Sequence, residues 1–327
     1  MNTNLVLGML SAYENAAFMY VMAKLNIADY LSEKPRSSKE LALLTETNAD
    51  ALHRVLRGLV NRKILFEDSL GHFGLTSDGE CLKSNAEGDI HGIALNIGEL
   101  LYNTWGSLLY SVKTGKPAFE HIHGINWFDF LKQNPKSAEI FNRGMANNTL
   151  QIAQALCESY DFSNIQTITD IGGGHGILLK IILEKYTHLK AVLFDSPEVI
   201  QEIKEEIKNC EFKSGNFFES VPKNKDIYIL KSIIHDWNDE EALRILQNCR
   251  EVMHENSKIL LIEPIMPERL DEFSLAVEMD LGMLLLLNGR ERTSREYENL
   301  YARAGFELTR IISIMEPYSV IEARPCK

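Results

Sequence analysis

The chain has only five cysteines (Cys81, Cys157, Cys210, Cys249 and Cys326), scattered with no Cys-x-x-Cys pair. That excludes a disulfide framework or zinc ribbon as its organising device and points to a reducing compartment. Blocks of Lys and Arg are also missing. The formal charge is −12, whereas nucleic-acid binding draws on clustered cations that replace phosphate counterions. The apolar run at 283–287 is far shorter than a bilayer span, and no basic segment followed by an apolar stretch and cleavage site opens the sequence. Internal repeats and low-complexity linkers are lacking too. The expectation is a soluble, cytoplasmic protein whose ligands are small molecules.

Against those absences, 45% of the 327 residues are apolar, enough for a sizeable core, and the length suits about two domains. Residues 5–31 repeat apolar side chains at helical spacing (Leu7, Leu10, Tyr13, Ala17, Tyr20, Met22, Leu25), and 38–44 and 51–61 are shorter amphipathic runs. Short strands at 64–67 and 72–75 flank a turn at Ser69-Leu70-Gly71. Helix, helix and hairpin in this order are winged-helix-like, an arrangement that serves DNA binding or dimerisation; the acidic balance favours dimerisation. Residues 104–149 read as aromatic-rich helices broken at Gly115, Pro117, Gly124 and Pro135. A few of those aromatics could wall a flat apolar substrate.

From residue 165 onward strands alternate with helices. Strands are expected at 166–171, 191–195, 226–234, 258–263 and 306–313, separated by helices at 177–186, 197–209, 240–254 and 294–304. Such alternation implies a parallel sheet covered on both faces, with a last run at 318–323 closing an edge. We place the boundary near residue 150, giving an all-helical, winged-helix-like N-terminal domain over 1–150 and a Rossmann-like α/β domain over 151–327.

The first of these strands enters Asp170-Ile-Gly-Gly-Gly-His-Gly176, and nineteen residues after Gly176 the next strand ends on Asp195. Loop amides of this kind can meet an anionic group while the carboxylate takes ribose hydroxyls. Gly172, Gly174 and Gly176 give Gly-x-Gly-x-Gly, with Ile177 where a dinucleotide loop needs its last glycine. The loop therefore suits a nucleoside without a pyrophosphate, such as S-adenosylmethionine; His175 within it reads as filler. In an open parallel sheet, ligands sit beyond the carboxyl ends of the strands, where the sequence puts Asp195, His235, Glu263 and, after a helix-rich excursion, Glu291. His235 precedes Asp236-Trp237-Asn238, with Asn238 as helix N-cap and Glu241 as its box partner.

Taken in order, these residues resemble the S-adenosylmethionine-dependent, cation-independent small-molecule O-methyltransferases of the caffeic acid, acetylserotonin and hydroxyneurosporene type. The likeness is carried by Trp105, the segment 111–120, Phe141-Asn-Arg-Gly-Met145, Asp170-Ile-Gly-Gly-Gly174, Phe194-Asp-Ser-Pro197, Gly215-Asn-Phe-Phe218, Leu230-Lys-Ser-Ile-Ile-His-Asp-Trp237 and Gly289-Arg-Glu-Arg-Thr293. It implies a class I methyltransferase sheet, S-adenosylmethionine as cofactor with S-adenosylhomocysteine as product, and no metal. It also implies an intertwined homodimer built through the N-terminal helices, with neither nucleic acid nor membrane as partner. By the same resemblance His235 is the general base, flanked by Glu263 and Glu291. Asp195, beside Ser196, is the ribose ligand; Gly172, Gly174, Gly215, Asn216, Phe217 and Lys231 surround the cofactor; Phe141, Met145, Trp237 and Met283 line the substrate.

Other readings of single residues stay open. Glu263 before Pro264 could end a strand in solvent, Glu291 between Arg290 and Arg292 could be a surface ion pair, and Phe217 and Lys231 could be a core residue and a surface cation. Asn216 stands where the family carries Asp, though an amide both donates and accepts hydrogen bonds. Asp236 reads as a helix-entry or supporting residue, and His121 and His123 lack a nearby third metal ligand. Methyl transfer to a hydroxyl needs an oxygen close to the methyl carbon and removal of its proton. With imidazole near pKa 6.5 and phenol near 10, full proton transfer before attack is uphill by roughly 5 kcal/mol, so deprotonation accompanies transfer. Three functions remain in view: an O-methyltransferase of a small aromatic or polyketide-like metabolite, the same fold and cofactor with N-methylation or a non-methylating reaction, and a winged-helix metabolite sensor.

Overall fold

The structure is a computed structural model that describes residues 3–86, 90–203 and 206–326. Its contacts divide the chain into two units, Met1–Ser107 with Phe128–Asn147, and Leu108–Trp127 with Asn148–Lys327. In the first unit the apolar run 5–31 becomes two helices, Thr3–Lys24 and Ile27–Leu31, because Asn26 turns the chain with a left-handed φ of 50°. Strand β1 (Arg36–Ser37) follows, too short for its period to show in the sequence. Helices Ser38–Thr45 and Ala49–Asn61 come next, the first closed by a capping box between Ser37 and Glu40, the second capped by Asn48. Strands β2 (Leu65–Glu67) and β3 (His72–Leu75) complete an antiparallel sheet in the order β1-β3-β2. Leu41, Leu52, Leu56 and Leu59 pack with Met22, Ile27 and Phe73 in this unit's core.

The N-terminal part of helix Thr3–Lys24 leaves Leu5, Leu7, Met9, Leu10 and Tyr13 more than half exposed. By length and composition alone this helix, unlike the run at 283–287, has the apolar content to cross a membrane. A helix covered by another protein surface shows the same features.

The second unit is built on strands β4 (Thr167–Ile171), β5 (Lys190–Asp195), β6 (Cys210–Ser214), β7 (Ile227–Lys231), β8 (Lys258–Met266), β9 (Arg292–Thr293), β10 (Phe306–Met315) and β11 (Tyr318–Pro325). They run in the order β10-β11-β8-β7-β4-β5-β6, with β9 joined to β8. Strands β4 to β8 are mutually parallel, so the expected alternation holds there. The sheet as a whole is mixed, because β11 pairs antiparallel with both β10 and β8. The run at 318–323 therefore does not close an edge. β11 is buried at seven of its eight positions and β10 at one of ten, as expected when β11 is the strand inserted beside β8 and β10 is the edge.

Two further expectations change. The helix expected over 197–209 is Pro197–Glu202, capped by Ser196, and β6 follows it; residues 204–205 lie outside the described residues. Strand β7 stops at Lys231, where Ser232 adopts φ 53°, and Ile234–Asp236 forms a single 3-10 turn instead of strand. On one face of the sheet Ile168, Ile227 and Ile229 meet helices Pro135–Ser159 and Ile177–Lys185; on the other Tyr228 and Leu230 meet Asp239–Val252 and Ser294–Arg303. Burial on both faces explains why these strands read as continuous apolar runs.

Candidate active site

Beyond β4 the chain passes through Gly172, Gly174 and Gly176, with φ of 71°, 58° and 79°, before helix Ile177–Lys185 begins. Left-handed backbone at three positions within five residues is what glycine supplies without a Cβ clash. A Cβ on Gly172 would lie 2.4 Å from Ile233 Cδ1, whereas one on Gly174 would meet nothing within 4 Å. The turn thus packs against the segment that leads to His235 and keeps open space over Gly174. Asp195, ending β5, accepts hydrogen bonds from the Gly174 N–H at 2.8 Å and the Ser196 N–H at 2.7 Å. Burial raises its carboxyl above the usual range against the pull of these amides.

Around the turn, the Phe217 ring comes to 3.9 Å from the Gly172 Cβ position, and a Cβ on Gly215 would strike the Phe194 ring at 2.6 Å. The Gly215 N–H donates to the Asp195 carbonyl. Lys231 ends β7, its pKa lowered by burial against the pull of Asp170, Glu263 and Asp236. Asn216 is exposed and holds its own turn, accepting from the Phe218 N–H and donating to Glu219. An open cleft of about 540 Å³ lies beside it, lined by Asn216, Phe218, Glu219, Glu240, Glu241 and Arg244. A turn with free space above it, a carboxylate tied to that turn and an aromatic face alongside fit a nucleoside carrying a short zwitterionic tail.

His235 lies in the 3-10 turn past β7 and is 5% exposed. Its Nδ1 is 2.7 Å from Glu291 Oε1 and 3.6 Å from Glu263 Oε2, and its Nε2 is 3.5 Å from Asp236 Oδ1. Both glutamates are buried: Glu263 within β8, not at its end, and Glu291 just before β9. Glu263 Oε1 accepts from the Ile233 and Ile234 N–H groups, so it anchors the backbone of the same turn whose ring it faces. Burial alone would depress the imidazole, but Glu263, Asp236 and Glu291 outweigh it and push its pKa up to about 10. Burial also raises Glu263 to about 7 and Asp236 to about 6, each partly offset by the imidazole's attraction. Proton transfer from a phenol to the neutral ring is thus less uphill than ordinary pKa values give, while the ring stays protonated over a wider pH range. A carboxylate at Nδ1 fixes the tautomer that leaves Nε2 to accept a proton. Donor atoms of His235, Glu263 and Glu291 all lie within 4.8 Å of one another, a spacing a cation could bridge, but the hydrogen bonds just described already engage one oxygen of each glutamate.

Other expected residues fall as follows. Trp237 stands edge-on to Phe218 at 4.7 Å and to Phe217 at 6.0 Å. Met283 lies on helix Leu275–Leu286 one turn beyond Asp280, whose Oδ1 accepts from the Glu291 N–H; positions three apart share a helix face. Phe141 and Met145 are half-buried on the part of helix Pro135–Ser159 that belongs to the first unit. His121 stacks on Tyr110 and His123 on Phe119, which gives both rings a packing role. Three residues were given no role from the sequence: Asp280, Arg292 and Asp170. Asp170 is fully buried with neither carboxyl oxygen hydrogen-bonded among the described residues, and burial raises its pKa to about 7. A charged residue inside the apolar strand Thr167–Ile171 was the available signal.

A parallel five-strand run flanked by helices, carrying this glycine turn and a β10–β11 hairpin at one side, defines a class I S-adenosylmethionine-dependent methyltransferase. The signature of the O-methyltransferase domain matches residues 105–307. The chain is 36% identical to phenazine O-methyltransferase PhzM of Lysobacter antibioticus over 99% of its own length and 96% of the relative's. It is 31% identical to 8-amino-8-demethylriboflavin N,N-dimethyltransferase of Streptomyces davaonensis, covering 94% and 91%. Among solved structures, the O-methyltransferase NcsB1 from neocarzinostatin biosynthesis, in complex with S-adenosyl-L-homocysteine and 1,4-dihydroxy-2-naphthoic acid, superposes with a TM-score of 0.84 at 26% identity over 95% and 96% of the two chains. The chain belongs to the O-methyltransferase family, and its cofactor is S-adenosylmethionine.

Proposed function

We propose that this enzyme methylates a hydroxyl of a small aromatic or polyketide-like metabolite and that His235 is its general base. The observation that carries the reading is the imidazole held between Glu291 and Glu263 on Nδ1, in a turn that packs on the Gly172 loop through Ile233. When bound, the cofactor supplies a methyl group on a positively charged sulfur. Gly174 would leave room for its tail on the turn that Gly172 and Gly215 help to pack, Asp195 would take the ribose hydroxyls with Ser196 beside it, Phe217 would pack on the base, and Asn216 and Lys231 would border it. His235 Nε2 accepts the acceptor's hydroxyl proton as oxygen attacks; Glu291 and Glu263 stabilise the imidazolium that forms. Phe141, Met145, Trp237 and Met283 are assigned to the substrate wall, where methionine adapts to an aromatic ring. No metal takes part in this scheme.

The same reading assigns residues 1–150 to a winged-helix-like dimerisation and substrate-lining domain and 151–327 to the cofactor domain, in a cytoplasmic homodimer. The exposed apolar face from Leu5 to Tyr13 supports it, since such a surface is covered in a functioning protein. Aromatic acceptors are favoured by the relatives PhzM and NcsB1. The N,N-dimethyltransferase relative favours nitrogen as the second reading. Incubation with methyl-labelled cofactor and a panel of phenols, anilines and aminophenols, followed by mass spectrometry, tests both. Label on oxygen is expected; label confined to nitrogen would overturn the oxygen reading, and no labelled product across the panel would count against aromatic acceptors altogether.

A further inference from the structure

The strongest unassigned feature is a guanidinium buried at the junction of the three segments that carry the proton-handling cluster. Arg292 is 1% exposed. Its Nη1 donates to the Ile234 carbonyl at 3.1 Å, and its Nη2 to the Trp237 carbonyl at 2.9 Å, gripping the His235 turn from both sides. Nε and Nη2 also meet Asp239 Oδ1 at 3.0 and 2.8 Å, where helix Asp239–Val252 begins. The backbone of Arg292 is fixed separately, because β9 pairs with β8 at Ile265, two residues past Glu263. Glu291 is its immediate neighbour. Two neighbouring contacts tighten the same seam: the Arg290 N–H donates to the His235 carbonyl at 2.8 Å, and a Cβ on Gly289 would strike that carbonyl at 2.0 Å.

We infer that Arg292 is the positioning residue of this active site, setting the separation of the His235 ring from Glu291 and Glu263 by clamping the backbone of the turn between Ile234 and Trp237. A planar fork satisfies two carbonyls facing different ways and a carboxylate at once; an ammonium on a flexible stem does not. The inference rests on the general-base reading for its link to turnover, and on geometry alone for its link to the ring. Charged and titratable groups facing that ring are Asp236 on its own turn, Glu263 from β8 and Glu291 before β9. Lys231 from β7, Tyr297 from helix Ser294–Arg303 and Tyr318 from β11 interact with these carboxylates.

The test is Arg292→Lys in the full chain, read by the NMR titration of the His235 imidazole, by kcat against cofactor KM, and by thermal melting. Misplacement by about 1 Å costs on the order of 10²-fold in rate. The expected result is a kcat lowered about 10- to 100-fold, a cofactor KM within about twofold of wild type, and an imidazole midpoint lowered by about one pH unit as its carboxylates recede. Arg324→Ala, which removes the exposed pair with Glu307, should change none of these. A folded Arg292→Lys protein whose imidazole midpoint matches wild type overturns the inference, whatever happens to its melting temperature. If Arg292→Lys does not fold, Asp239→Asn, which loosens one anchor of the fork, must move the midpoint in the same direction by a smaller amount, and no movement overturns the inference. Should His235→Ala keep full turnover, the general-base reading falls while the titration still decides the positioning.

Discussion

Replacing Glu291 with glutamine keeps the side chain's shape and removes the charge that faces His235 Nδ1 at 2.7 Å. Raising the imidazole from its ordinary value near 6.5 to about 10 corresponds to a preference for the charged form of about 5 kcal/mol. That preference is the surplus of three carboxylates over the cost of burial. A hydrogen bond to a charged group contributes about 1.5–3 kcal/mol, so losing this one lowers the imidazole midpoint by about one to two pH units. The sign then follows. A raised midpoint leaves the ring protonated, and unable to accept a proton, until the pH climbs; wild-type kcat/KM should rise toward the alkaline side, and Glu291→Gln should begin its rise earlier.

Above both midpoints the variant should stay about 10- to 100-fold slower, because the imidazolium formed during transfer has lost its partner. The assay is a pH–rate profile with methyl-labelled cofactor, with cofactor affinity measured by calorimetry at each pH. Stability gives an independent check. A group whose folded value is raised stabilises in full below its unfolded value near 6.5 and loses that contribution as pH passes through about 10. The wild type should therefore lose more melting temperature than Glu291→Gln between neutral and alkaline pH. A variant with the same ascending limb and plateau as wild type would refute the reasoning, since Glu291 would not then face the working imidazole.

His235→Ala should lose at least about 10²-fold in turnover with cofactor affinity changed less than about twofold; an equal loss of both by kinetics and calorimetry would make the ring a cofactor ligand instead. Gly172→Ala combines left-handed backbone with a clash at Ile233 and should abolish measurable cofactor binding. Gly174→Ala meets no protein atom, so its cost to folding should be the backbone one alone, about 1–2 kcal/mol, while its methyl enters the space assigned to the cofactor's tail and weakens binding. A loss of melting temperature equal to that of Gly172→Ala would contradict the open space above that residue. Away from the site, burial raises the Glu322 carboxyl, but hydrogen bonds from Tyr160, Arg310 and Thr309 together with Lys258 outweigh it and hold it near 2. Its contribution is present above its unfolded value near 4.5 and is lost as pH falls toward 2, so Glu322→Gln should flatten the decline of melting temperature over that interval.

What the sequence made legible follows from which signals are local. The glycine turn and the strands that flank it depend on backbone conformation and on burial from both faces, so Asp170 to Gly176 and the strand ending on Asp195 stand out in one dimension. The placement of β11 does not. Whether residues 318–325 close the sheet or enter it depends on the competition between two neighbouring strands for β8. Strand β6 was not legible because nothing in the sequence marks the end, at Glu202, of the helix that begins at Pro197. At the site, His235, Glu263 and Glu291 were nameable from their expected place beyond the strand ends, with their roles supplied by the family resemblance, yet Glu263 as a mid-strand residue and Asp236 as a close neighbour of Nε2 required coordinates. Arg292, visible in the sequence only as part of the Gly289-Arg-Glu-Arg-Thr293 motif and as a neighbour of Glu291, is among the largest fully buried side chains.

The chemistry of the acceptor can be argued from the cost of this arrangement. Four ionisable groups meet here, His235, Glu263 and Glu291 buried and Asp236 half-buried, with Glu263 Oε2 and Glu291 Oε2 lacking hydrogen-bond partners among the described residues. Burying charges is expensive even when they are paired, and well-packed apolar side chains of similar volume would often serve stability better. An arylamine offers its lone pair to an electrophile without first losing a proton, so it has little use for a base raised toward pKa 10. A phenol must give up its proton, and on the general-base reading an imidazole whose basicity three carboxylates raise takes that proton more readily than a free one. The cluster is costly for a protein that methylates nitrogen and functional for one that methylates oxygen, which is why the buried carboxylates around His235, more than the glycine turn, point to a hydroxyl.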